Sequence, residues 1–208
     1  MKAIIITPCL KCKIKDAVTI EKDDLVICAD TSFAKALSED IRIDLILGDF
    51  DTGSAVPFPD GIEIIKYPIE KDDTDTMLAI KEAAKRGFTQ ITVAGGLSGR
   101  LDHTYANIQS LAYGAENGLD IRISDRDNEA FAMLPGCISL PRKEGFSLSV
   151  FSYGESAEGL CLDGVKYPVQ NAVITNSFPL GVSNEITADH ARISFAKGLL
   201  LIILSKLN

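Results

Sequence analysis

Short apolar runs alternate with amphipathic stretches over the first part of this chain, and the alternation stops near residue 126. Residues 3–6, 25–29 and 43–47 are short, largely apolar runs of strand length, the pattern of strands buried on both faces. Residues 32–37 read as a short helix between the second and third runs. Residues 61–67 alternate well enough for another strand. Over residues 75–86 the spacing turns helical: Met77, Ile80 and Ala84 share a face, and Gly87 is the stop. A strand at 89–94, a glycine loop at 95–100, a helix at 102–117 ended by Gly118 and a strand at 119–123 continue the series. Strands and helices in alternation predict a mostly parallel sheet covered on both faces.

Beyond Arg126 the helical period is lost. Residues 146–151 alternate polar and apolar, and 159–165, 172–175, 191–196 and 199–204 are short strand-like runs separated by glycine, proline and asparagine turns. That pattern predicts a small antiparallel β-sandwich. The fold class is therefore α/β, with an N-terminal mostly parallel α/β sandwich domain over 1–125 and a small antiparallel β-sandwich domain over 126–208. The apolar run at 199–204 is too short to span a bilayer and reads as a buried strand. Residues 1–6 resemble a signal peptide only superficially, and a first core strand is expected there.

Composition narrows the partners. The 208 residues carry a formal net charge of -8, which argues against a general affinity for nucleic acid or an anionic membrane. Any polyanion must be held locally, by metal and a few placed cations. Five cysteines, an odd number, suit a reducing compartment, and the chain is expected in the cytoplasm. Cys9 and Cys12 form one Cys-x-x-Cys pair with no second pair to complete a zinc site, so reduced thiols without a function are expected over metal or redox chemistry.

Two aspartates, Asp49 and Asp51, end the third strand in Gly48-Asp49-Phe50-Asp51-Thr52. Residues two apart in a strand project to one side, so both carboxylates are expected to face one point. Like charges that close repel unless a cation sits between them, and magnesium, which takes a few carboxylate oxygens and keeps other positions for water and phosphate, is the simplest fit. Phe50 is expected to plug the core behind them. A second cluster, Lys71-Asp72-Asp73-Thr74-Asp75, precedes the helix at 75–86. A helix cap explains one of these acids, but not three in four positions. A third segment, Gly95-Gly96-Leu97-Ser98-Gly99-Arg100-Leu101-Asp102-His103, lies between strand and helix. Its glycines let backbone N–H groups approach an anion, Arg100 can grip phosphate oxygens, and Asp102 can cap the helix or reach a metal. It is neither a Walker A loop nor a dinucleotide fingerprint. All three clusters follow strands, and ligands of open α/β sheets bind outside the carboxyl ends of strands. Together they make a nucleoside triphosphate site.

These segments also resemble the signatures of the thiamine pyrophosphokinase family: Gly48–Thr52 is similar to Gly-Asp-Phe-Asp-Ser, with threonine for serine, Lys71–Asp75 to Asp-x-Thr-Asp, and Gly95–His103 to Gly-Gly-x-x-Gly-Arg-x-Asp-His. Gly164-Val165-Lys166-Tyr167-Pro168 and Gly181-Val182-Ser183-Asn184-Glu185 resemble motifs of that family's C-terminal β-domain. The resemblance implies a magnesium-dependent transfer of a diphosphoryl group from ATP to thiamine, giving thiamine diphosphate and AMP. It implies a homodimer, with thiamine where one subunit's α/β domain meets the other's β-domain. Carried across, Asp49, Asp51 and Asp75 are the metal ligands, Asp72 and Asp102 supporting carboxylates, and Arg100 a phosphate contact. Lys71, Thr74, Gly95, Gly96, Ser98 and Gly99 complete the ATP site, and Ser183 and Asn184 belong to the thiamine pocket.

The general base stays open between Asp72 and Asp102. A diphosphokinase for another alcohol, such as a hydroxymethylpterin, and a nucleotide sensor without turnover are the rival readings. A third is that the acids are only caps and solvated turns. Neither histidine sits in a nucleophile elbow. His103 is expected in the first turn of a helix and His190 in a turn between strands.

Overall fold

A computed structural model describes residues 1–51 and 56–207, so Thr52 of the first acidic motif lies outside the described residues. The chain divides into two compact units, one of Met1–Ser110 with Gly118–Arg126 and one of Leu111–Asn117 with Asp127–Asn208.

Up to residue 126 the elements run β1 (Ala3–Ile6), α1 (Ile14–Ala17), β2 (Leu25–Ala29), α2 (Ser32–Ser38), β3 (Leu45–Gly48), β4 (Glu63–Lys66), α3 (Asp75–Lys85), β5 (Gln90–Ala94), α4 (Leu101–Glu116) and β6 (Asp120–Ser124), all in the first unit but for the end of α4. The six strands are parallel in the order β4-β3-β2-β1-β5-β6. Every residue of β1 is fully buried, so both faces of the sheet are covered at its centre, as an uninterrupted Ala-Ile-Ile-Ile run requires. On one face Ile4, Ile6, Val26, Cys28 and Ile46 pack with Phe33 and Ala36 of α2. Helix α3 lies against β1, β2, β3 and β5 and buries Leu78, Ala79, Ile80 and Ala83.

The strand order reverses sense at the centre. The chain leaves β1 toward β2 and β3 on one side, then returns with β5 on the other. Loops leaving β1 and β5 at their carboxyl ends therefore diverge, which opens a crevice between them. Thr7 follows β1 and Gly95 follows β5, so the crevice falls among the segments singled out by their chemistry.

The second unit contains β7 (Asn128–Met133), β8 (Gly136–Pro141), β9 (Phe146–Ser152), β10 (Ser156–Asp163), β11 (Val169–Thr175), β12 (His190–Phe195) and β13 (Leu200–Lys206). Strand β13 pairs antiparallel with β7 and β9, while β11, β10, β12 and β8 form a separate antiparallel sheet in that order. Leu148, Val150, Leu200 and Ile202 from the first group meet Leu160, Leu162, Ile193 and Phe195 from the second in one apolar core. Two strands, β7 and β8, were not expected from the sequence. Asn-Glu-Ala-Phe-Ala-Met clusters its apolar residues without alternation and Gly-Cys-Ile-Ser-Leu-Pro is bounded by glycine and proline, and register with β13 and β12 supplies what their own pattern lacks. His190 opens β12 instead of lying in a turn. Among the described residues no helix is long and apolar enough to cross a membrane.

Candidate active site

The crevice holds a cavity of about 360 Å³ whose lining includes Thr7, Asp30, Asp49, Lys71, Asp75 and Asn107. Thr7, Asp30 and Asp49 follow β1, β2 and β3, Asp75 opens α3, Lys71 lies in the loop between β4 and α3, and Asn107 is within α4. Carboxylate oxygens of Asp30, Asp49 and Asp75 lie within 4.8 Å of one another, a spacing that suits one hard cation.

Close backbone approach makes this convergence possible. Asp30 donates its N–H to Leu47 O at 2.7 Å and takes a left-handed backbone, φ 49°. A Cβ on Gly48 would stand 3.0 Å from the Asp30 Cα, so only glycine lets β3 leave the sheet this close to Asp30. On the other side of the crevice Gly95 and Gly96 have φ of 91° and 94°. A side chain on Gly95 would strike Thr7 and Leu10, and one on Gly96 would meet the Asn107 amide at 2.7 Å. Asn107, itself buried, donates from Nδ2 to Gly96 O at 3.0 Å and pins the glycine loop to α4.

Lys71 neutralises part of the acidic group. Its ammonium donates to Asp49 Oδ2 and lies 3.0 Å from Asp75 Oδ1, with only 14% of its side chain exposed. The hydrogen bond from Lys71 lowers the Asp49 pKa against the opposing effect of burial. Burial raises that of Asp75, and the charges of Asp49 and Asp30 add to the effect while Lys71 offsets part of it. Desolvation works against the Lys71 charge, but its bonds to Asp49 and Asp75 outweigh it and raise its pKa.

Asp51 does not join the three acids. Phe50 turns into the left-handed region, φ 57°, which breaks the strand alternation on which a shared direction for Asp49 and Asp51 depended. Asp51 is exposed, and its backbone N–H donates to Asp49 Oδ1 at 3.1 Å. Phe50 does pack behind the acids, edge-on to Phe58 with ring centroids 4.9 Å apart. In the second cluster Thr74 caps α3, accepting the Met77 N–H at 3.1 Å, so its hydroxyl serves the helix. Asp73 lines the cavity and pairs with Lys81 at 2.7 Å, whereas Asp72 is exposed.

In the third segment Ser98 Oγ donates to Cys9 O at a long 3.4 Å, and His103 lines the cavity in the first turn of α4. Arg100 and Asp102 pair with each other at 2.6 Å, both largely exposed, and neither lines the cavity. Ser183 and Asn184 belong to the second unit, where Ser183 is exposed and its backbone N–H donates to Ser149 Oγ at 3.1 Å. Asn184 is buried. It donates to Tyr167 O at 2.9 Å and accepts from the N–H groups of Tyr167 at 3.0 Å and Glu185 at 2.9 Å. The exposed Tyr167 it holds lines an apolar pocket of about 190 Å³ with Leu180 and Val182. All five cysteines are free thiols, and Cys9 lines the cavity of the first unit.

Sequence reasoning missed Asp30, Thr7 and Asn107. Asp30 is a single acid after a strand, without the clustering that marks the others. Its signal is positional: β2 is a buried parallel strand beside β3, so its carboxyl end opens on the same edge as Asp49.

A doubly wound parallel sheet with acids and a lysine gathered at its central crevice, carried with an antiparallel β unit, defines the protein as α/β. Two family models match the chain: thiamin pyrophosphokinase, catalytic domain, over residues 17–123, and thiamin pyrophosphokinase, vitamin B1 binding domain, over residues 137–200. The chain belongs to the thiamin pyrophosphokinase family. It is 36% identical over 140 residues to the thiamine pyrophosphokinase of Bacillus subtilis, a stretch covering 67% of this chain and 65% of that protein. The fold matches the crystal structure of the Bacillus subtilis thiamine pyrophosphokinase with a TM-score of 0.87 at 26% identity, covering all of both chains. It matches a thiamin pyrophosphokinase family protein from Enterococcus faecalis with a TM-score of 0.83 at 28% identity, again over both full chains.

Proposed function

We propose that this protein is an ATP:thiamine diphosphotransferase. The hydroxyethyl oxygen of thiamine attacks the β-phosphorus of ATP, an O–P bond forms, and the bond from that phosphorus to the α–β bridging oxygen breaks. AMP leaves with the bridging oxygen, and the hydroxyl proton passes to a carboxylate or to water. Such a transfer depends on position and charge more than on covalent help. The observation that carries this reading is the convergence of Asp30, Asp49 and Asp75 on one point in a cavity at the sheet's switch point.

A magnesium ion fits the donor set, since three carboxylates offer only hard oxygen ligands. Asp30, Asp49 and Asp75 would hold it, and when bound it would supply positive charge to the transferring oxygens. Asp51 orients Asp49 through its backbone N–H. Lys71 and the amides of Gly96 and Gly99 face the polyphosphate, while Gly95, whose N–H donates to Ser124 O at 2.8 Å, turns the loop. Arg100 joins them by exchanging Asp102 for a phosphate oxygen, and a largely exposed ion pair resists that exchange little. Asp72 and Asp102 remain the supporting carboxylates, with Ser98 in the loop wall.

Thiamine is the acceptor, in preference to a hydroxymethylpterin, because the second unit is matched by the vitamin B1 binding domain model. Ser183 contacts thiamine there, and Asn184 acts by fixing Tyr167. The protein works as a homodimer in the cytoplasm, the latter in keeping with five free cysteines. Incubation with thiamine and Mg-ATP, with nucleotides separated, tests the reaction. Equal amounts of AMP and thiamine diphosphate are expected. ADP, or no turnover with thiamine, would overturn it.

A further inference from the structure

Lys71 stands where a cation is wanted. Its ammonium is in contact with two of the three carboxylates whose oxygens cluster within 4.8 Å, and 86% of its side chain is out of solvent by the exposure of 14% found for it. A free surface lysine gains little from such a position, because burying an ammonium is costly unless paired. Here the pairing is twofold, a hydrogen bond to Asp49 and a 3.0 Å ion pair with Asp75, and it sets a positive charge against two carboxylates that a divalent ion needs. Lys71 sits just before α3, on a segment whose next fixed point is the Thr74 cap. Its four-carbon stem can therefore turn its ammonium without disturbing the helix.

From this geometry we propose that Lys71 is a positioning residue that acts as a resident counter-ion. In the nucleotide-free protein it holds Asp49 and Asp75. When a metal–nucleotide complex binds, it releases them to the metal and takes up polyphosphate oxygens. This rests on the metal–nucleotide reading of the site. Two consequences follow. The free protein resists divalent cations, because each must displace the ammonium. Nucleotide and metal strengthen each other's binding, because the polyphosphate receives the displaced charge, and that coupling is reciprocal.

Manganese titrations followed by electron paramagnetic resonance test the exchange on the full chain, with and without a non-transferable ATP analogue. The variants are Lys71→Gln, Lys71→Arg, Asp75→Asn and Lys85→Gln. Lys85 lies at the far end of α3 and is largely exposed, so its replacement makes the same charge change away from the site. Without nucleotide, Lys71→Gln is expected to bind manganese about tenfold more tightly than the parent, the effect of removing one charge-assisted hydrogen bond. Lys85→Gln and Lys71→Arg keep the parent's weak binding, and the analogue tightens manganese binding less in Lys71→Gln than in the parent. Unchanged or weaker manganese binding by nucleotide-free Lys71→Gln overturns the exchange, as does equal tightening by Lys85→Gln. Should Lys71→Gln not fold, tight nucleotide-free binding by Lys71→Arg overturns it instead. If the parent with analogue binds manganese no better than Asp75→Asn with analogue, the metal-site reading itself fails and the exchange falls with it.

Discussion

The half-buried charges of the first unit and the buried amide Asn184 of the second are treated in opposite ways. In the first, Asp30, Asp49, Asp75 and Lys71 crowd one cavity, and their electrostatic demands are met only in part by each other. In the second, Asn184 has both its amide nitrogen and its oxygen engaged by backbone, and the neighbouring pocket is lined by apolar side chains. A polar group satisfied by its own chain stabilises the fold, whereas a group of like charges left close together is tolerated where a ligand completes it. The contrast assigns chemistry to the first unit and shape to the second.

Substitutions should therefore separate turnover from stability. Asp75→Asn is expected to cut turnover by about a thousandfold, in the range seen when an electrostatic contact to the transition state is removed. Its thermal midpoint should not fall, because the change removes a like charge from beside Asp30 and Asp49. A parent-like rate in Asp75→Asn would remove that acid from the mechanism. Asn184→Ala should do the reverse. Losing its hydrogen bonds to Tyr167 and Glu185 costs about 2–4 kcal/mol of stability in a denaturant titration. Its kcat per folded molecule should change far less than its KM for thiamine, through the loosened Tyr167. Equal falls in kcat and stability would blur the division between the units.

Gly96→Ala lies between these cases. It forces a side chain into a φ of 94° and against Asn107, a cost of about 1–2 kcal/mol, and should raise the KM for ATP with little effect on that for thiamine. The smallest effect belongs to Glu63, remote from the cavity. The Arg86 guanidinium, 2.6 and 3.0 Å from its carboxylate oxygens, holds its pKa below the ordinary 4.5. Its stabilising contribution is thus complete above pH 4.5 and is lost as pH falls through the lowered folded value. Glu63→Gln should flatten the acid limb of a stability–pH curve slightly and leave turnover at neutral pH unchanged.

Much of this was legible in the residues, for identifiable reasons. Buried parallel strands such as β1 and β2 read as continuous apolar runs because both of their faces are covered. Strands β7 and β8 did not, because their partners rather than their own pattern hold them. Asp49 and Asp75 announce themselves by clustering and motif. Asp30 does not, since a single acid after a strand looks like any turn. The placing of Asp51 was misjudged because no strand rule anticipates a left-handed phenylalanine between two aspartates. The ammonium of Lys71 between Asp49 and Asp75 depends on how a loop after β4 folds back over β3, which no local pattern encodes.

The central claim is that Asp30 and Asp75, 45 residues apart in the chain, serve one ion and one nucleotide. A double-mutant cycle on manganese–nucleotide affinity, with Asp30→Asn, Asp75→Asn and the pair, measures this directly. If the acids share a site, the pair should lose much less affinity than the two single losses combined. Losses that simply add would mean that the two carboxylates act apart, and the account would be contradicted.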